Sequence, residues 1–371
     1  MKVTLERNHL LKSLGHVHRV VERRNTYPIL ANVLLKAGDG AIDLRATDLD
    51  IEVTERVPAM VGTPGTTTVP AHTLYEIVRK LADGSEVKLE TTGEQMLISS
   101  GRSRFNLACL SPDSFPDLKS GTFTHSFSIP AATLRELIER TQFAISNEET
   151  RYYLTGIYIH TIESAGATLL RAVATDGHRM ARAETDAPDG AKGMPGIIVP
   201  KKTVGEVQKL LDGAEGDVGV EVSDTKIRFT LGSVVLLSKL IEGTFPDYER
   251  VTPKNNDKAM NVDRASFATA VDRVSTIASE RGGKAVKLSM KDGNLELSVT
   301  NPDHGTASEE LAVDFDTDGF EIGFNARYLL DILAQIRSEN AVFLFNDAGS
   351  PTLVKEDGEA RAQYVLMPMR V

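Results

Sequence analysis

Three times along the chain, a short alternation of apolar and polar residues passes directly into a stretch whose apolar residues recur every third or fourth position. These runs are VTLERNHLLKSL (3–14), FSIPAATLRELI (127–138) and MNVDRASFATAV (260–271). Period two places side chains on opposite faces of a strand, whereas a spacing of three or four gathers them on one helix face. Each run therefore predicts a strand leading into an amphipathic helix. A second trio, TTVPAHTLYEIVRKL (67–81), GIIVPKKTVGEVQKL (196–210) and EIGFNARYLLDILAQI (321–336), repeats the signature. The strand runs between them follow one another like hairpins rather than alternating with helices. This predicts an α+β class with antiparallel sheet predominating.

The chain also matches itself. SPDSFPDL (111–118) and IEGTFPDY (241–248) carry the same Phe-Pro-Asp corner, with Phe115 and Phe245 separated by 130 residues. Pro70 and Pro200 keep that offset, and Thr47 of LRATDLDIEV lies 128 residues before Thr175 of AVATDGHRMA. A third, fainter copy ends in AQYVLMPMRV (362–371), where the other two turn. The corner thus reads as the exit from one module toward the next, its proline fixing the turn and its aspartate able to bond its own backbone. Modules over 1–122, 126–250 and 259–371 follow, each with two helices and six to eight strands. Their linkers are KSGTFTH (119–125) and TPKNNDK (252–258). Pro368 cannot donate to a ladder, so the last strand should lie at an edge or stop there.

With 371 residues the chain is long for one domain and suits two or three. No apolar run approaches the length of a membrane span, and the charged start MKVTLERNHLLKSL lacks the apolar core of a signal peptide, so a cytoplasmic protein without membrane attachment is expected. The single cysteine, Cys109, excludes an intrachain disulfide and a cysteine-cluster metal site, and NLACLS around it reads as a buried strand. A net charge of −10 argues against nucleic acid until its distribution is considered. Helical windows at 6–24, 71–80, 131–140, 201–210, 264–274 and 326–337 hold 16 lysines and arginines against 8 aspartates and glutamates. The helices are thus net +8 and the remainder −18, with Lys12, Arg19, Arg23 and Arg24 the densest basic group.

Few residues suggest chemistry. In TDGHR (175–179), Asp176 and His178 could form an acid–base pair, but no serine or cysteine motif accompanies them and Thr-Asp-Gly suits a turn between strands. Asp48, Asp50 and Glu52 would share one face of a strand, without converging ligands for a metal. RGGKAV (281–286) lacks the spacing of a phosphate loop. Tyr152 and Tyr153 would point to opposite faces of a strand start, one of them free to stack on nucleic acid.

YPILANVLL, TTVPA, SGRSRFNLACL, RYYLTG, VATDGHRMA, SKLIEGTFPDYERV, EIGFNARYLLDIL and YVLMPMR together resemble the bacterial DNA polymerase III beta subunit, the replicative sliding clamp, from Met1 to Val371. The resemblance implies three similar domains, each with antiparallel sheets outside and two helices inside, the DNA-clamp fold, closed into a ring as a head-to-tail homodimer. Helices about 10 Å wide set side by side enclose roughly 9 Å when there are six and roughly 28 Å when there are twelve, so two chains are needed to encircle a duplex. A basic lining within an acidic body suits sequence-independent contact with double-stranded DNA. The resemblance further implies no catalysis, no cofactor and no metal, a tethering role for a replicative polymerase, and loading by a separate ATP-driven clamp loader. Polymerase, loader and other replication or repair proteins would insert a short peptide with glutamine and apolar anchors between the second and third domains.

By motif match the peptide pocket would use Leu154, Thr175, Gly177, His178, Arg179 and Met180 from the second domain. Pro246, Arg250 and Val251 would join from the corner, and Val365, Leu366, Met367, Pro368, Met369 and Arg370 from the C-terminus. Met180 replaces a common leucine, and Gly349 and Pro351 replace the valine and serine of some relatives, which bears on the shape of one subsite. Arg24, Tyr152 and Tyr153 would contact DNA. The dimer seam would set the edge strand bearing Phe105 and Leu107 against the third domain's helix near Ile277.

Overall fold

The computed structural model describes the whole chain except residues 25, 120, 279–283, 316–318 and 359–360. Among the described residues there are six α-helices: α1 (Arg7–Val17), α2 (Ala71–Lys80), α3 (Ala131–Gln142), α4 (Lys201–Leu211), α5 (Arg264–Ser275) and α6 (Ala326–Leu333). Every strand pairing within the four sheets is antiparallel. The first predicted window is shorter than expected, since α1 stops at Val17 and a 3₁₀ turn covers His18–Val20, leaving Arg23 and Arg24 in the following loop. Side-chain caps start three of the helices: Glu6 accepts from the Asn8 and His9 amides, Asp263 from Ser266, and Asn325 from Arg327 and Tyr328.

Packing divides the chain into two compact units, and the division does not follow the sequence copies. One comprises 1–132, 188–195 and 202–240; the other comprises 133–187, 196–201 and 241–371. The reason is strand pairing. In the first unit an eight-stranded sheet joins Val234–Lys239 of the second copy to Ile51–Pro58 of the first, with Leu236 opposite Val53. In the second, a nine-stranded sheet joins Arg179–Asp186 to Ala362–Leu366 of the third copy, with Met180 opposite Val365. Ala362–Leu366 is therefore interior to its sheet, and Pro368 marks only where the strand has ended. Each unit also holds a smaller sheet, of five strands in the first and four in the second.

Proline placement follows the ladders. Pro70 and Pro200 end the strands Gly65–Pro70 and Ile197–Pro200, each an outermost strand of its sheet, where a missing N–H leaves no ladder bond unmade.

The repeated Thr-Asp turn recurs bond for bond. Thr47 Oγ donates to the Ile51 carbonyl and accepts from the Leu49 amide; Thr175 Oγ does the same with Arg179 and Gly177. Asp48 accepts from the Asp50 and Ile51 amides, as Asp176 does from His178 and Arg179. The third turn residue has positive φ in both, 81° at Leu49 and 89° at Gly177. Asp48 and Asp50 thus belong to a turn and share no strand face with Glu52, because the Asx bonding to successive amides breaks the strand.

An arginine from the strand before each turn grips a Phe-Pro-Asp corner. Arg45 lies over the Phe115 ring, donates to the Pro116 carbonyl and pairs with Asp117 and with Glu52. Arg171 donates to the Tyr248 hydroxyl at 2.9 Å and pairs with Glu249 at 2.5 Å and Glu184 at 2.9 Å. The corner aspartates, expected to bond their own backbone, hold arginines instead, Arg45 for Asp117 and Arg250 for Asp247. Cys109 differs from expectation too: it follows the strand Ser103–Ala108 and is only half-buried. Among the described residues no helix is long and apolar enough to cross a membrane.

Replacing Arg171 with methionine leaves Glu184 and the buried Tyr248 hydroxyl without their donor. We expect this to cost about 2–3 kcal/mol in urea denaturation, against less than about 0.5 kcal/mol for Arg361→Ala, whose pair with Asp186 lies in solvent.

Candidate functional site

The residues singled out in the second and third copies fall into three places within the second unit. Leu154, Met180 and Val365 come together in one buried apolar cluster with Val173, Ile198, Phe245 and Tyr248. Leu154, Met180 and Val365 are each less than 5% exposed, so they form a floor rather than a wall. Leu154 ends the 3₁₀ helix Glu149–Leu154, and Met180 faces Val365 across the ladder. Exposed groups stand on the chain next to this floor. Pro246, Arg250 and Val251 lie on the corner segment that also supplies Phe245 and Tyr248. Met367 is exposed, and its amide donates to the His178 carbonyl at 2.9 Å, which brings the C-terminal segment against the Thr175–Gly177–His178 turn. Leu366 does not join the floor: it is fully buried, and adjacent strand residues face opposite sides of a sheet.

Pro368, Met369 and Arg370 line a separate hollow of about 590 Å³ with Lys287, Glu321 and Gly349. Here the Met369 amide donates to the Gly323 carbonyl at 2.8 Å, laying the tail along the outermost strand Phe320–Asn325. Gly323 permits this approach, since a Cβ there would sit 2.4 Å from Val371 Cγ1 and 2.7 Å from the Met369 carbonyl. Of the three departures noted in the sequence, Met180 belongs to the floor and Gly349 lines this hollow, whereas the Pro351 carbonyl is engaged by Asn256 Nδ2 at 3.0 Å. Asn256, within the expected linker, is thereby tied to the third copy.

The third place is a cleft of about 630 Å³ that includes His178 and Arg179. Arg179 is committed internally. Its guanidinium pairs with Asp176 and Asp331, donates to the Phe143 carbonyl, and lies 4.3 Å from the Tyr328 ring centroid. It acts as a strut, each of its three guanidinium nitrogens already donating within the fold. Sequence reasoning missed Tyr328, in the first turn of α6, and Asn325, its cap, which both line this cleft. The signal was available in NARYLLDIL, where Asn325 caps the helix and Tyr328 stands a turn inside it.

Family models match three consecutive stretches: the N-terminal domain of the DNA polymerase III beta subunit over 1–119, its central domain over 128–247 and its C-terminal domain over 249–370. The chain belongs to the DNA polymerase III beta subunit family. It is 51% identical over 373 residues to the beta sliding clamp of Caulobacter vibrioides strain NA1000 and 39% identical over 375 residues to that of Escherichia coli K12, with all of both chains covered each time. The crystal structure of a DnaN sliding clamp from Bartonella birtlesii bound to griselimycin matches with a TM-score of 0.98 at 53% identity, also over the whole of both chains. The fold is the three-domain clamp fold of antiparallel sheets and helices. The function is that of a sliding clamp, a DNA polymerase processivity factor working with DNA and polymerase.

For a clamp, the placement of cations matters. Lys12 and Arg19 in the first copy, and Lys80 at the end of α2, are exposed. Others counted in the helical windows are structural. Arg7 is buried and caps α2, donating to the Val78 carbonyl at 2.9 Å and the Arg79 carbonyl at 2.5 Å, and Arg140 is buried against Glu136 and Glu356. Arg24 is exposed in its loop. Tyr152 and Tyr153 sit in the 3₁₀ helix rather than at a strand start: Tyr152 is 54% exposed, while Tyr153 packs against the apolar cluster. Phe105 is exposed and Leu107 half-buried on Ser103–Ala108, the outermost strand of the five-stranded sheet. Ile277 lies just past the end of α5 rather than in it, its carbonyl accepting from Asn301 Nδ2. RGGKAV falls at 281–283 outside the described residues. No cluster of three or more potential metal-binding side chains occurs among the described residues.

Beneath the corner, Tyr158 stacks on Phe245 with centroids 4.9 Å apart, and His160 Nε2 lies 2.9 Å from the Tyr248 hydroxyl. Arg171 donates to that hydroxyl, so Tyr248 is placed to donate onward to a neutral His160. Burial first, and then the Arg171 charge, hold the His160 pKa below the usual histidine value. The unfolded chain therefore takes up this proton first. Stability should be full above about pH 6.5 and decline as pH falls from there toward the lower folded value. A pH series of urea midpoints should show the decline in the wild type and a shallower one in His160→Gln.

Proposed function

We propose that two copies of this chain close head to tail into a ring around duplex DNA, and that the ring has no catalytic activity and no cofactor. Domains over 1–122, 126–250 and 259–371 would each give two helices to the lumen. The observation that carries the ring is a pair of uncovered sheet edges: Ser103–Ala108 in the five-stranded sheet and Gly305–Ala312 in the four-stranded sheet. Open edges invite pairing with another chain, and α5 packs on Gly305–Ala312, close to Ile277 in sequence. Phe105, Leu107 and Ile277 would be buried at this seam. Arg24 and Tyr152 would meet the DNA, with Tyr153 supporting Tyr152 by edge-to-face contact at 5.7 Å.

Polymerase, clamp loader and other replication or repair proteins would dock a short peptide over the Leu154–Met180–Val365 floor, between His178 and Met367 on one side and Pro246, Arg250 and Val251 on the other. Thr175 and Gly177 would hold the His178 turn, and Pro368, Met369 and Arg370 would extend the site along the tail. Acid–base chemistry at Asp176 and His178 finds no support, because the Asp176 carboxylate is occupied by two backbone amides and Arg179. A location in the cytoplasm fits this role.

Two experiments test the proposal. Loaded onto a nicked circular plasmid by a clamp loader, the protein should stay bound through gel filtration and leave when the plasmid is linearised; equal retention on both forms would mean surface binding and end the ring reading. His178→Ala should weaken a fluorescent partner peptide about five- to tenfold while leaving retention on the circle unchanged, and an unaltered peptide affinity would remove His178 from the site.

A further inference from the structure

The 630 Å³ cleft next to the His178 turn contains more charge than its own fold uses. Three carboxylates lie in its wall, and each is satisfied: Glu148 by Arg151 at 2.8 Å, and Asp176 and Asp331 by Arg179 at 3.1 and 2.6 Å. Two cations in the same wall are not matched. Lys201 Nζ donates only to the neutral Asn147 Oδ1, at 2.5 Å, and the Arg327 guanidinium has no carboxylate or hydrogen-bond partner among the described residues. Both occupy the first turn of a helix, where a cation opposes the helix dipole, so local stability does not account for either.

Resting on the peptide-docking reading above, we propose that this cleft is a subsite for an acidic side chain flanking the apolar anchors of a partner peptide, its carboxylate seated between Lys201 and Arg327. His178 is common to the cleft and to the anchor site, so a bound peptide continues from one to the other without leaving the surface. A single aspartate or glutamate suits the site better than a DNA backbone. The wall's own carboxylates repel a continuous row of phosphates, whereas one carboxylate can meet the two free cations. The tyrosine ring of Tyr328, beside His178 with centroids 6.3 Å apart, provides an apolar ledge for the peptide backbone between the two subsites.

The test uses the full-length protein and fluorescein-labelled peptides carrying one glutamine and the apolar anchors, with a single aspartate or asparagine at each flanking position in turn. At one position, aspartate should bind about three- to tenfold tighter than asparagine at low salt, with the advantage shrinking as salt rises. Lys201→Ala/Arg327→Ala should abolish the advantage and bind the asparagine peptide as the wild type does, and Arg327→Glu should reverse it in favour of lysine. Equal affinities for aspartate and asparagine at every position, or an advantage that survives in the double variant, would overturn the proposal. So would loss of DNA affinity in the double variant with peptide discrimination intact, which would assign the cleft to phosphate. If the wild type binds none of the peptides, the docking reading fails first and this subsite with it; if it binds all equally, only the subsite fails.

Discussion

Backbone hydrogen bonds between Val234–Lys239 and Ile51–Pro58, and between Arg179–Asp186 and Ala362–Leu366, carry sheets across the boundaries of the sequence copies. The second copy is consequently divided, half of its strands in one sheet and half in another. A strand in the middle of a ladder has both edges satisfied, which removes an exposed edge at each boundary and leaves open edges only at the outermost strands of the four sheets, Ser103–Ala108 and Gly305–Ala312 among them. Everything functional in the second unit stands on that pairing. Met180 reaches Val365 because the two strands are neighbours, and the Thr175–His178 turn meets Met367 because the C-terminal strand runs alongside it.

The corners finish what the ladders begin. A Phe-Pro-Asp segment leaving a module has no ladder to hold it, so it is held by side chains: Arg45 in the first copy, Arg171 with His160 and Tyr158 in the second. In the second copy this anchoring also fixes Pro246, Arg250 and Val251, which makes a structural device into the rim of the proposed peptide site. The third copy lacks the corner, and near its end the Met369 amide donates to the Gly323 carbonyl instead.

Charge follows the same division of labour. Arginines that sequence counting places on basic helices are partly spent on the fold, Arg7 capping a helix and Arg140 neutralising carboxylates. What remains for partners is a smaller set of exposed cations, Lys12, Arg19 and Arg24 among them, in a chain whose net charge is −10. Such a body repels DNA at long range except where those cations face it.

Local patterns in the sequence were enough to locate the six helices, to count the copies and to find the corner and the Thr175 turn, though not the matching turn at Thr47, because these depend on spacing within a few residues. Leu154, Met180 and Val365 were legible as site residues only through motif resemblance. What spacing could not decide was which strands of different copies pair, since antiparallel ladders join residues up to 187 positions apart, as with Arg179 and Leu366. It could not tell a buried arginine from an exposed one, nor place Leu366 behind the floor and Met369 in another hollow. That Tyr328 and Arg327 share a cleft with His178 became visible only in the folded structure. Local chemistry fixes elements and turns; the register between distant strands, a matter of tertiary packing, decides which of their side chains share a site.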